Sequence, residues 1–80
     1  SGSVIMATAH EVYDEAIKLK DQGDLPGAVE KLREVLKIDA RHTDAHAALA
    51  VYLQRLGQFD QAIEHSRKVV ELMPDDVFAY

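Results

Sequence analysis

Four histidines are the side chains in this sequence best suited to chemistry, and His42 and His46 stand four apart with Asp44 between them. On a helix, that spacing puts two imidazoles on one face. Such a pair grips zinc once a third ligand and supporting hydrogen bonds are supplied. The third ligand is missing here: the chain has no cysteine, and nothing in the sequence ties His10 or His65 to the pair. His42 also falls in a predicted turn. No metal is expected, and the histidines read as surface and turn residues. His65 beside Ser66 offers a base next to a nucleophile. Helix neighbours point about 100° apart and do not face each other, so Ser66 reads as a small packing residue on the inner side of its helix. There is no glycine-rich phosphate loop, metalloprotease helix motif or paired acid–base carboxylate site. No catalytic residue, no cofactor and no enzyme activity are expected.

These residues sit in a chain that repeats itself without a gap at an interval of 34 residues. Ala16 recurs as Ala50, Leu19 as Leu53, Gly23 as Gly57, Ala28 as Ala62, Glu30 as Glu64 and Val35 as Val69. Leu25, Val29, Leu36 and Ile38 recur as Phe59, Ile63, Val70 and Leu72. A fixed period of this size marks a repeat array, in which each unit buries its apolar face against the next. Arrays of this kind present surfaces for binding rather than cavities for catalysis.

Composition narrows the partners. Eighty residues make one small domain with a modest core. Nine basic against 14 acidic residues give a net charge of −5 with the signs interspersed. Phosphate backbones and anionic membranes repel such a surface, so no nucleic acid is expected as a partner. The longest apolar run, Ala47 to Leu53, is far short of the roughly 20 residues that span a bilayer, and no membrane insertion is expected. The absence of cysteine fits a reducing compartment, and a cytoplasmic location is expected. Ser1-Gly2-Ser3 reads as a cloning scar and Met6 as a start. Residues 1–8 thus form an extension, 9–42 a first repeat, 43–76 a second, and 77–80 the opening of a third or of a capping helix.

Four segments carry helical periodicity, which predicts an all-α fold of antiparallel helix-turn-helix units. The first holds Val12, Tyr13, Ala16, Ile17 and Leu19, and ends near Gln22 before Gly23. Asp24 is the expected N-cap of the second, with Pro26 in its first turn. Ala28, Val29, Leu32, Val35 and Leu36 form its inner stripe. Thr43 is the expected N-cap of the third, whose apolar face is Ala45, Leu49, Ala50, Val51 and Leu53, and which Gly57 stops. The fourth is expected to turn Phe59, Ala62, Ile63, Val69, Val70 and Leu72 inward, with Pro74 beyond its end. Asp75 or Asp76 would cap a fifth helix beginning at Val77. Asp14 with Lys18 and Glu64 with Lys68 are acid-to-base pairs at the i, i+4 spacing on solvated faces.

On these residues the chain resembles a tetratricopeptide repeat protein over about residues 9–80. The strings Gln22-Gly23-Asp24-Leu25 and Leu56-Gly57-Gln58-Phe59-Asp60-Gln61-Ala62-Ile63 are close to the family's turn, and Ala16, Ala28, Ala50 and Ala62 stand where its small residues let helices approach closely. There are departures. Ala40 stands where the first repeat often has proline, and Val12 and His46 stand where a bulky apolar residue is common. Glu15 occupies a place that Leu49 fills in the second repeat; it would be costly under another repeat and marks an outward, wet face.

The resemblance implies a concave groove that holds a peptide or helix of a partner protein. Carried over, its lining is His10, Tyr13, Ile17, Lys20 and Asp21, then Asp44, Ala47, Val51, Gln54 and Arg55, with Phe78 opening a third set. The Lys and Asn clamp that one subclass uses for carboxylate termini is absent, because Tyr13, Ile17, Ala47, Ala48 and Val51 occupy those places. What remains is an apolar floor of Tyr13, Ile17, Ala47 and Val51 edged by His10, Lys20, Asp44, Gln54 and Arg55. The alternative reading is self-assembly into a homodimer or larger array. Ile63, Val70 and Met73, with Phe78 and Tyr80, would form an uncovered C-terminal edge for it.

Overall fold

The computed structural model of the chain describes residues 7–73. They form four α-helices: α1 (Ala9–Asp21), α2 (Leu25–Ile38), α3 (Thr43–Arg55) and α4 (Phe59–Leu72). Among the described residues there is no strand. α1 packs on α2, α2 on α3, and α3 on α4. The starts of α1 and α3, and of α2 and α4, are each 34 residues apart, so the interval in the sequence is an interval in space.

Local chemistry sets the boundaries. Thr8 Oγ1 accepts from the Glu11 N–H at 3.1 Å while Glu11 Oε1 accepts from the Thr8 N–H at 2.9 Å, a reciprocal cap that starts α1. These hydrogen bonds hold the Glu11 carboxyl below the usual carboxylate range. Asp24 caps α2 as expected, its Oδ1 accepting from the Gly27 N–H at 2.9 Å. The expected cap of α3 is corrected by one residue. His42, not Thr43, is the N-cap, with Nδ1 accepting from the Ala45 N–H at 3.0 Å, and Thr43 is the first helical residue. Gln58 precedes α4 and makes no side-chain cap.

α1 and α3 end alike. Gly23 (φ 87°) and Gly57 (φ 81°) take the left-handed conformation. The Asp24 and Gln58 N–H groups then fold back to the Leu19 and Leu53 carbonyls, each at 2.8 Å. Only three residues separate α1 from α2 and α3 from α4, which reverses the chain and lays each pair side by side.

The core runs through all four helices. Val12 and Ala16 from α1, Ala28, Val29, Leu32 and Val35 from α2, Ala45, Leu49, Tyr52 and Leu53 from α3, and Ala62 from α4 are buried together. The four alanines at the crossings give up side-chain volume so that backbones can approach. The inward face expected for α4 is largely overturned. Ala62 alone is buried there, Val69 and Leu72 are half-buried, and Phe59, Ile63 and Val70 are 60%, 53% and 61% exposed. The cause is positional: α3 covers the outer stripe of α2, and among the described residues no helix covers that of α4. Ser66, expected inside, is exposed on the same stripe, and Ala50 and Val51 are half-buried and exposed.

The expected ion pairs also shift. Asp14 lies 3.3 Å from His10 Nε2, Glu64 pairs with Arg67 at 3.9 Å, and Lys68 reaches Glu71 at 3.5 Å. All are exposed and contribute little to stability. No helix among the described residues is long and apolar enough to cross a membrane. The expected fifth helix, with Pro74, Phe78 and Tyr80, lies outside the described residues, as do residues 1–6.

Candidate functional site

The floor residues arrive in i, i+4 pairs, Tyr13 with Ile17 on α1 and Ala47 with Val51 on α3, so each pair shares a helix face. The two pairs differ in exposure. Ala47 and Val51 are exposed, Val51 at 45%, whereas Tyr13 and Ile17 are half-buried. Tyr13 packs against the core, and its ring stacks on His42 at a centroid distance of 5.2 Å. Burial, reinforced by the charge of Asp44, pushes its phenol up from the ordinary value and keeps it neutral. Among the polar rim, Lys20 is drawn to Asp21 at 2.7 Å, a contact that raises its pKa, and His10 is held by Asp14. Asp44, Gln54 and Arg55 are exposed.

Val51 and Gln54 open into a depression between α3 and α4. Its other walls are Ala50 from α3 and Phe59, Ala62, Ile63 and Ser66 from α4. Val51 and Gln54, expected in the groove, and Ile63, expected at the C-terminal edge, therefore line one depression. Stepping back 34 residues gives its counterpart: Ala16, Ile17, Lys20, Leu25, Ala28, Val29 and Leu32. Every one of those is buried or half-buried. Five of these places are thus packed in the first helix pair and exposed in the second, at Val51, Gln54, Phe59, Ile63 and Ser66, while Ala62 stays buried and Ala50 half-buried. A second apolar hollow continues along α4 past Ile63 and Ser66 to Val70, bordered by Arg67 and Glu71.

The histidines form a cluster that the sequence did not reveal. His46 is only 6% exposed, not a surface residue. Its Nε2 lies 3.0 Å from the Ala40 carbonyl, in the turn between α2 and α3, and its Nδ1 lies 2.9 Å from Nδ1 of His65 on α4. A carbonyl can only accept, so His46 Nε2 carries hydrogen. In the neutral pair, Nδ1 of His46 then accepts and Nδ1 of His65 donates. The expectation that His65 is unconnected to His46 is overturned. The signal that could have found it is the buried register of position 46, where a bulky apolar residue was the norm. Burial, the His46 ring and the nearby Arg33 charge lower the pKa of His65. Among the described residues no three histidine, aspartate or glutamate side chains cluster to hold a metal ion. Through these two hydrogen bonds the pair ties the turn to α4.

Residues 19–80 match the family described as Tetratricopeptide repeat. Among curated proteins, none matches the chain.

Proposed function

The chain belongs to the tetratricopeptide repeat family, and from that premise we propose that it binds a peptide or helix of a partner protein through the surface centred on Val51. Tetratricopeptide repeat domains generally mediate protein–protein interactions and serve as scaffolds and adaptors rather than enzymes. The observation that carries the finer reading is the exposure of Ala47 and Val51 on one face of α3, continuous with the depression floored by Ile63. A contiguous apolar surface rimmed by polar groups favours association. A partner helix with apolar residues at i, i+4 and i+7 would bury them there, while Asp44, Gln54 and Arg55 orient its backbone and charges. The half-buried Tyr13 and Ile17 extend the floor toward α1. The net charge of −5 supports a protein partner over nucleic acid, and a cytoplasmic scaffold is the setting this reading fits. Panning a displayed library of random peptides tests it. Enriched peptides should carry spaced apolar residues and lose binding to Val51→Asp. Peptides that ignore this substitution would move the site elsewhere.

One observation favours a second reading, self-assembly. Ile63 and Val70 are exposed, whereas their 34-residue counterparts Val29 and Leu36 lie within the core or pack against it, and Met73 beyond them is exposed as well. A second copy could supply the missing cover, and the solution mass of the chain against concentration tests this directly.

A further inference from the structure

The exposed face of α3 is oppositely charged at its two ends. Asp44, Ala47, Val51, Gln54 and Arg55 are all exposed and fall within one sector of the helix, since successive residues turn by about 100°. Asp44 stands in the first turn and Arg55 in the last. A carboxylate and a guanidinium thus lie about 16 Å apart along the axis at about 1.5 Å per residue, with Ala47 and Val51 between them. α1 repeats this order alongside. Burial, then the charge of Asp44 and after it those of Tyr52 and Asp14, push the Tyr13 phenol up, which sets both carboxylates near that ring. At the other end Asp21 raises the pKa of Lys20 and Arg55, close by, opposes the rise. Asp14 and Lys20 already have partners in His10 and Asp21. Asp44 and Arg55 make no ion pair among the described residues, and they leave the face polarised along one axis.

Backbone chemistry selects the form of the partner. An extended segment laid on this face would turn backbone N–H and C=O groups toward it, and between Asp44 and Arg55 the face offers one amide, Gln54, to meet them. A helix satisfies its own backbone and asks only for an apolar stripe. Ala47 and the half-buried Ala48 let it approach toward the low end of the roughly 8–10 Å packing range. Direction follows from charge. Asp44 calls for a basic residue and Arg55 for an acidic one. A helix carries acids most favourably in its first turn and bases in its last. Both demands are met together when that helix runs antiparallel to α3. The two helix dipoles then also oppose each other, which is their favourable arrangement side by side. A parallel helix would need bases in its first turn and acids in its last, against its own dipole.

We propose that the partner segment is a helix of about three turns lying antiparallel to α3, with an acidic residue of its first turn on Arg55, a basic residue of its last turn on Asp44, and apolar residues between them on Ala47 and Val51. This rests on the groove reading and gives its ligand a direction and a charge order.

A pair of synthetic peptides of one composition tests this, each held helical by a hydrocarbon staple on its outer face. One carries glutamates in its first turn, leucines at i, i+4 and i+7, and lysines in its last turn. The other has the glutamates and lysines exchanged. The acid-first peptide should bind about tenfold more tightly at low salt, and its advantage should shrink as salt is added. In the double variant Asp44→Lys, Arg55→Glu the preference should invert, with circular dichroism confirming that the variant folds. A preference that does not invert belongs to the peptides and overturns the proposal. The natural chain gives a second readout that needs no variant. A nitroxide on the N-terminus of the acid-first peptide should broaden the amide signals of Gln54 and Arg55 and leave that of Asp44 sharp. The reverse pattern overturns the antiparallel direction. Equal binding of the two peptides, lost for both in Val51→Asp, overturns the charge order and leaves the groove reading standing. Binding of neither peptide overturns this proposal, while the peptide library decides the groove reading separately.

Discussion

The Nδ1 atoms of His46 and His65 face each other 2.9 Å apart across the α3–α4 pair, and His46 passes the connection on to the Ala40 carbonyl at 3.0 Å. One imidazole therefore links the turn between the helix pairs to the last helix. His42, four residues before His46, caps α3 from the same turn and stacks on Tyr13. The junction between the two halves is held by histidines rather than by apolar packing alone.

The pH dependence of stability follows from His65. Its folded pKa is lowered, chiefly by burial, with the His46 ring and Arg33 of α2 adding to the effect and Glu64 opposing it. The unfolded chain thus binds this proton more tightly. The contribution to stability is complete above the unfolded histidine value of about 6.5 and is lost as pH falls through the lower folded value. Urea unfolding at a series of pH values should show stability falling on acidification below about pH 6.5. In His65→Asn, which keeps a donor and removes the titration, the slope should be shallower. An unchanged slope would show that His65 is not its source.

The core should be sharply position-dependent along the repeat. Leu49→Ala removes a fully buried side chain, for which about 2–5 kcal/mol is lost. That is a large share of the stability expected of so small a domain, about 0.05–0.15 kcal/mol per residue. Ile63→Ala, on the open stripe of α4, should cost well under about 1 kcal/mol in the monomer. Thermal melts at low concentration compare the two directly, and equal losses would mean that Ile63 is covered in solution.

Much of this fold is legible in the sequence because its signals are local. Gly23 and Gly57 announce the ends of α1 and α3, and both take positive φ. Asp24 announces α2, and Ala16, Ala28 and Ala62 announce the close crossings. What was not legible depends on contacts distant in sequence. Nothing in the run around His46 says that its ring will meet His65, 19 residues on. Thr43 looks like the better cap by residue type, yet the ring nitrogen of His42 reaches the Ala45 N–H. Phe59, Ile63 and Val70 have the periodicity of an inner face, and periodicity alone cannot tell whether a neighbouring helix is there to cover it. For the site, the helical pattern alone put Val51 on the apolar face of α3, the family resemblance set Ala47 and Val51 in a groove, and neither told of the depression that Val51 shares with Ile63 of α4.

The two kinds of glycine should respond differently to alanine. Gly57→Ala forces a side chain into the left-handed region, at a cost of about 1–2 kcal/mol. Gly27 has an ordinary helical backbone, where alanine is normally favourable. There, however, an added Cβ would collide with the carboxylate of Asp24 that caps the helix. Gly27→Ala should therefore destabilise as well, and the loss should shrink in an Asp24→Ala background. Additive losses in this double-mutant cycle would contradict the cap clash.

Tyr13 and Val51 should separate packing from recognition. Tyr13 is half-buried against the core and His42, so Tyr13→Ala should lower the melting temperature as well as weaken a bound peptide. Val51→Asp sits on an exposed helix face and should leave the melt nearly unchanged while lowering peptide affinity about tenfold or more. Paired melts and peptide titrations by fluorescence anisotropy read both effects. A Val51→Asp variant that melts much earlier would show that this side chain serves the fold instead.

Recognition through the Val51 surface has a direct test. The most direct measurement is an amide chemical-shift map of the chain titrated with a peptide selected against it. The largest shifts should gather on Ala47, Ala50, Val51 and Gln54 of α3 and on Ile63 of α4, with smaller ones at Tyr13 and Ile17. Shifts gathered instead on the exposed Glu34 and Lys37 of α2 and on Arg41, with Val51 unmoved, would contradict it.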